Sequence, residues 1–417
     1  MAEKSDGGAA AGGTPPAGDH PSTLHGLPAS IAAAIRAAGG RVSFARFMEL
    51  ALTDAEAGYY TRGERQFGRS GDFVTVPARI PLFNRAMASL VADLVDALLD
   101  TAGNGLPVSI WEIGGGRGDM AAGILKTWDS VRPDLRPRVR WRLLDVGRHL
   151  MARQQKALAW ALAAGWTVEW GATPDSCISE PRVVVTNELV DALPIHILNV
   201  DGDRVREAWV EMDATEEELA EVWSHPCPEA LSELTELFGT VQPADIRPFS
   251  ADGVVEVRPA MRDFLASIAR GMGSGCVVTV DYGGLPARPA LFEGGSAPDR
   301  RYQRTIRGYL RHERRHDLYS HVGRQDLTAD VDFGALELHG RRLGFDCILY
   351  TTIANLTAAA GGRAEVEALR TESRQVDGVD ASTRNGLDLD REAFYAERLL
   401  DPEDVGGLYR VMVQVRE

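Results

Sequence analysis

The sequence predicts a doubly wound α/β fold on a mostly parallel sheet of seven strands, the last of them antiparallel. Three observations point there. From residue 108 onward, strand-length apolar runs alternate with amphipathic helical segments. The first run ends in Gly114-Gly115-Gly116-Arg117-Gly118 and leads straight into a helix. The final run, residues 408–415, alternates through Val411, Val413 and Val415 with no helix after it, which fits an antiparallel edge strand.

Residues 1–25 are mostly Ala, Gly, Pro, Ser and Asp, and read as a disordered tail. They lack the apolar stretch of a signal peptide and the arginines of a mitochondrial presequence, so a bacterial-type, cytoplasmic location is expected. Residues 26–105 read as an N-terminal helical region. Leu27, Ile31 and Ile35, then Phe44, Phe47, Met48 and Leu52, carry helical spacing, as do Met87, Leu90, Val91, Leu94, Val95, Leu98 and Leu99. Between them a Gly/Arg/Ser-rich stretch, 63–77, predicts an ordered loop that could close over a cofactor. The core is expected over 106–417, with strands near 108–113, 141–145, 167–170, 183–187, 276–281, 346–351 and 408–415. Residues 200–265, with a very acidic helical piece at 216–238, and the Arg/His/Asp-rich residues 284–335 are expected as insertions over the carboxyl edge of the sheet, where open α/β folds bind ligands.

Composition narrows the function classes. The 417 residues carry 60 acidic and 45 basic side chains, a net charge of −15. Nucleic acid needs a basic footprint, so it is excluded as a partner. No apolar run approaches the ~18–20 residues of a membrane span. Four cysteines, at 177, 227, 276 and 347, include no CxxC pair, and only His225 stands near one of them, Cys227. No disulfide framework and no metal site is assigned on that spacing. His312, His316 and His321 lie in an arginine-rich segment without a clear helical pattern, and no metal is assigned there either.

Four stretches could do chemistry. Glu112-Ile113-Gly114-Gly115-Gly116-Arg117-Gly118 lies between a strand and a helix, where glycines let backbone approach a ligand closely. Such loops serve dinucleotides and S-adenosylmethionine alike, or simply make a turn. Glu112 two residues before the first glycine, and a register short of the full pyrophosphate motif, favour the methyl donor. Asp145, ending the second strand, could accept from ribose hydroxyls or cap the next helix. Asn187-Glu188-Leu189-Val190-Asp191-Ala192-Leu193-Pro194 follows the fourth strand; Glu188 and Asp191 could orient a cationic acceptor or take its proton, and Asp191 could equally cap a helix. Gly68-Arg69-Ser70-Gly71-Asp72-Phe73-Val74-Thr75-Val76-Pro77 could cover a cofactor or be an ordinary turn.

Together with Gly58-Tyr59-Tyr60, Asp281-Tyr282-Gly283, Arg307-Gly308-Tyr309 and Asp326-Leu327-Thr328-Ala329-Asp330-Val331-Asp332-Phe333, these stretches resemble, in order, the successive motifs of the MidA family across roughly residues 40–360. The resemblance implies a Rossmann-like class I methyltransferase using S-adenosyl-L-methionine. The family includes the mitochondrial methyltransferase needed for respiratory complex I assembly, which implies a protein arginine as one acceptor. By the same resemblance Gly68, Asp72, Thr75 and Pro77 line the donor pocket, Glu112, Gly114 and Gly116 hold the methionine end, Asp145 the ribose, and Asn187 and Glu188 sit at the methyl with Asp191 nearby. Asp281, Tyr282 and Arg307 would form the acceptor side, supported by Asp330 and Asp332. Glu188, Asp191 and Tyr282 are the catalytic candidates. The chain departs from the family pattern at residues 78–84, at Val322-Gly323, and at Thr352 and Asn355. Those departures keep a second reading in play, the same chemistry on a small biosynthetic metabolite. A catalytically silent binding protein and a nicotinamide-dependent oxidoreductase are disfavoured by the full motif set and the glycine register. Oligomeric state is open, a homodimer included.

Overall fold

The computed structural model describes residues 26–62, 80–102, 105–171, 180–213, 218–288, 298–311, 313–375 and 386–417. The chain opens with α1 (Ala29–Ala37), a short β1 (Arg41–Ser43) and α2 (Phe44–Thr53). Ser43 starts α2 by accepting from Arg46 N at 3.2 Å. The long α3 (Pro81–Ala102) follows, then an alternation of β2 (Val108–Ile113), α4 (Asp119–Val131), β3 (Val139–Leu144), α5 (Arg148–Ala163), β4 (Val168–Gly171) and β5 (Arg182–Asn187).

An excursion then leaves the main sheet: β6 (His196–Asp201), β7 (Arg204–Met212), β8 (Leu219–Ser224), α6 (Pro228–Phe238), β9 (Val254–Val257) and α7 (Pro259–Ala269). The chain returns with β10 (Gly275–Gly284) and leaves again through β11 (Arg307–Leu310), β12 (Glu313–Arg315), β13 (Asp326–Thr328) and β14 (Val331–Asp332). It closes with α8 (Phe333–Arg342), β15 (Asp346–Thr352), α9 (Ile353–Ala359), α10 (Gly362–Gln375), α11 (Gly386–Leu400) and β16 (Tyr409–Arg416).

The main sheet runs β15-β16-β10-β5-β2-β3-β4, with β14 pairing β10 off its end. β4, β3, β2, β5 and β10 are parallel, and β16 is antiparallel to both of its neighbours. The last strand is therefore not at the edge, as its alternation suggested; it is slotted between β10 and β15. Its residues explain this: Val411 and Val413 are buried in one core and Met412 in the other, so both faces are covered. The same two-residue period holds along β5, where Val183 and Val185 face one core and Val184 the opposite one.

α3 packs into the first of these cores through Leu82, Phe83, Met87, Val91 and Val95. Grouped with the N-terminal region by sequence, it is in fact a covering helix of the main sheet. Trp128 of α4 ties it down, its indole N–H donating to Ala88 O at 2.9 Å.

The first excursion folds as a five-stranded antiparallel sheet, into which β1 of the N-terminal segment pairs through β7. The acidic stretch expected as one helix over 216–238 is divided. Leu219–Ser224 is a strand paired with β7, and the helix begins only at Pro228. Pro226 and Pro228 are the physical reason, since neither can sit inside a helix. The second excursion forms a three-stranded sheet, β12-β11-β13. A third core joins the pieces: Ile31, Phe44, Phe47 and Met48 from α1 and α2 pack with Ile197, Val210, Ile306 and Leu327.

Candidate active site

In the main sheet the chain runs outward from β2 to β4 and then returns to β5 on the other side of β2. The loops leaving the carboxyl ends of β2 and β5 diverge there and leave a crevice, the usual ligand position in an open α/β sheet. A cavity of about 270 Å³ occupies it, lined by Glu112, Gly114, Gly116, Asp145, Asn187 and Glu188 among others.

The glycine loop is shaped by its conformation. Gly114, Gly116 and Gly118 have φ of 71°, 54° and 81°. A Cβ on Gly114 would stand 2.7 Å from the Leu189 side chain, so the loops after β2 and β5 touch only because that atom is missing. Asp145 directly follows β3 and is held by three donors: Gly116 N at 3.2 Å, Gly147 N at 3.1 Å and Gln154 Nε2 at 3.4 Å. It fixes the glycine loop to the start of α5. The cap of α5 is Gly147, not Asp145.

Glu112 is buried, with its carboxylate accepting from the Trp141 indole at 3.0 Å. Burial pushes its carboxyl up to about 8, and the charges of Asp119 and Asp145 add to the rise. Asn187 donates to Glu188 at 3.3 Å, while its own Oδ1 is buried without a partner. Glu188 has φ of 49°, a left-handed backbone that a side chain rarely adopts, so the turn after β5 holds it against local preference. Its amide donates to Val280 O at 3.0 Å, and its carboxylate accepts from the Tyr282 hydroxyl at 3.0 Å.

Asp281 organises this turn from below. One oxygen accepts from Val190 N at 2.9 Å and Asp191 N at 3.1 Å, the other from Tyr282 N at 2.9 Å. Asp191 does not line the cavity. It lies buried beneath it, with Oδ1 unpartnered, and no helix follows for it to cap. Burial, then the charges of Asp281, Asp326 and Glu188, push its carboxyl well above the usual range. Arg307 is bonded to Asp330 at 2.6 Å and lies over the Tyr282 ring at 5.5 Å. Asp332 starts α8 by accepting from Ala335 N and also accepts from the Tyr302 hydroxyl at 2.6 Å. Gly68, Asp72, Thr75 and Pro77 fall outside the described residues.

Sequence reasoning missed several contributors. Thr53 and Tyr60 line the cavity from the N-terminal segment, and the Tyr60 hydroxyl donates to Asp326 at 2.8 Å. Tyr60 stood in a matched motif without a role. Arg258, buried beneath Asp191, donates to Asp191 O and Ala329 O at 3.4 and 2.9 Å, and no sequence signal marks it.

Comparison with known proteins agrees with this geometry. The model of a family described as "Putative S-adenosyl-L-methionine-dependent methyltransferase" matches residues 90–351. The mitochondrial protein arginine methyltransferase NDUFAF7 of Danio rerio is 26% identical over 317 residues, 72% of this chain and 68% of that protein. Its Rattus norvegicus counterpart is 23% identical over 318 residues, 71% of this chain and 66% of that one. The chain thus spans about two thirds of the length of these relatives. A Burkholderia thailandensis protein crystallised with S-adenosyl-homocysteine superposes with a TM-score of 0.74 at 27% identity, covering 93% of this chain and 91% of that one. A native crystal structure from the same organism gives 0.70 at 26% identity. The chain belongs to the MidA family of S-adenosyl-L-methionine-dependent methyltransferases.

Proposed function

We propose that the crevice binds S-adenosylmethionine and that the acceptor is a guanidino nitrogen of a protein arginine presented at Glu188. The observation that carries this reading is the Glu188 carboxylate. It stands at the cavity wall on a left-handed backbone, hydrogen-bonded by Tyr282, with further acids packed behind it. Backbone strain of this kind persists where the surroundings enforce it. The relatives named as protein arginine methyltransferases support the choice of acceptor.

The residues fit the donor. The Gly114 cradle would be filled by any side chain, and Asn187 Oδ1 is a buried acceptor with no partner in the protein. Glu112, Gly114 and Gly116 hold the methionine end in this reading, Asp145 the ribose, and Asn187 the region of the methyl; Gly68, Asp72, Thr75 and Pro77 complete the wall. Bound S-adenosylmethionine supplies an electrophilic methyl group on a sulfonium. Glu188 orients the guanidinium by a charge-assisted hydrogen bond and takes the proton released as the new N–C bond forms. Tyr282 holds Glu188 in that orientation, and Asp191 contributes from beneath the turn. The cytoplasmic setting expected from the sequence stays part of this reading.

The described departures from the family pattern leave the donor crevice intact. Asn84 packs its side chain on Gly123, and Thr352 caps α9 by accepting from Asn355 N at 3.1 Å; neither residue, nor Val322 or Gly323, lines the cavity. Incubation with radiolabelled S-adenosylmethionine and arginine-rich polypeptides, followed by amino-acid analysis, tests the proposal. Methylarginine is expected. Transfer to small metabolites alone would overturn the choice of acceptor and leave methyl transfer standing.

A further inference from the structure

A second cleft of about 730 Å³ lies behind the donor cavity and shares Thr53, Ala192 and Leu193 with its wall. Two of its lining side chains, His196 and Cys227, meet the buried Glu207 beneath it, each from a separate element. His196 Nδ1 of β6 lies 2.7 Å from Glu207 Oε1 of β7. Cys227, at the cap of α6, brings Sγ within 3.5 Å of His196 Nδ1 and 3.8 Å of Glu207 Oε1. The Cys227 amide donates to the other Glu207 oxygen at 2.6 Å.

We propose that His196, Glu207 and Cys227 form a binding site for a single divalent transition-metal ion of the zinc type, held through Nδ1, Oε1 and Sγ. The donor set mixes imidazole, carboxylate and thiolate, which suits zinc and not magnesium or calcium. The spacing also suits it. Tetrahedral bonds of about 2.3 Å to sulfur and about 2.0 Å to nitrogen and oxygen put ligand atoms roughly 3.3–3.6 Å apart. Two edges of the triangle, at 3.5 and 3.8 Å, are near that size. The third, at 2.7 Å, is a hydrogen bond that opens by about half an ångström when the ion replaces the shared proton.

Charge favours the ion as well. Glu207 is fully buried, and among the described residues no lysine or arginine forms an ion pair with it. A divalent cation neutralises that carboxylate together with the thiolate. The fourth position faces the cleft, with Glu229 on its wall. Such an ion would tie the start of α6 to strands β6 and β7 of the five-stranded sheet.

The test is cobalt titration of the full chain after removal of metal by a chelator. One equivalent should produce a thiolate-to-cobalt charge-transfer band with the visible bands of a tetrahedral ion. Cys227→Ser should abolish the charge-transfer band, His196→Gln should weaken binding by at least about tenfold, and Cys347→Ser should leave both unchanged. Absence of the band, or its survival in Cys227→Ser, overturns the proposal. A second measurement needs no variant. Saturating zinc should slow alkylation of Cys227 in the unaltered protein by about tenfold or more, read by peptide mass spectrometry, and an unchanged rate overturns the site.

Discussion

Single side chains at the crevice combine unusual conformation with unusual protonation, and each makes a separable prediction. Gly114→Arg should abolish S-adenosylmethionine binding measured by calorimetry, because even a Cβ there meets Leu189 at 2.7 Å. Unchanged affinity in a folded variant would refute the pocket. Glu188→Gln should lower kcat more than donor affinity, since the carboxylate acts on the acceptor; equal losses would make it a pocket residue only. Glu112 links the site to pH. Its carboxyl is raised to about 8 by burial, so between the ordinary range and pH 8 the folded protein keeps a proton that the unfolded chain has lost. Stability from this group is therefore full at low pH and lost as pH rises toward 8. The ligand-free protein should melt several degrees lower at pH 8 than at pH 5, and Glu112→Gln should flatten that fall; a steeper fall in the variant would contradict the assignment. Asp191 and Asp281, also raised by burial, contribute in the same direction.

At the scale of elements, the turn after β5 and the start of α8 do most to position the site. Asp281, within β10, holds the backbone of the 188–191 turn by two amides, so β10 sets where Glu188 points. Asp332 serves as cap of α8, partner of the buried Arg288 and acceptor for Tyr302. Asp332→Ala leaves Arg288 without its carboxylate in a buried position and should cost about 3–5 kcal/mol in urea denaturation; a loss below about 1 kcal/mol would mean the pair is solvated. Gly323, which follows the departing Val322, has φ of 74° and its Cβ would overlap Ala57 O. With the Tyr60–Asp326 hydrogen bond, it lets the second excursion lie against the loop after α2.

For the molecule as a whole, the cavity is assembled from parts far apart in the chain. The glycine loop and the 187–193 turn supply its floor, and Thr53 and Tyr60 reach it from a segment whose strand β1 belongs to the excursion sheet. The third core couples these parts through Phe44, Phe47, Ile197, Val210 and Leu327. Removing residues 26–62 should uncover that apolar face, raise binding of a hydrophobic dye and remove donor binding together. Donor affinity that survived the deletion would show that the crevice of the main sheet suffices alone. Among the described residues no helix is long and apolar enough to cross a membrane.

The sequence by itself determined the main sheet, the glycine loop and the family. These depend on local periodicity and on motifs of neighbouring residues, which the chain writes in order. Glu112, Asp145, Asn187 and Glu188 were legible because each stands at the end of a strand whose carboxyl edge forms the crevice. Tertiary structure decided the rest. It placed β16 inside the sheet, because strand order depends on which faces the helices cover, and alternation alone reads the same at an edge. It moved Asp191 beneath the cavity, because a turn held by Asp281 aims successive side chains in directions no spacing records. It also brought His196 to Cys227 across 31 residues. Ligands on paired strands and a distant helix cap share no local signature, so only pairing of the strands makes them neighbours.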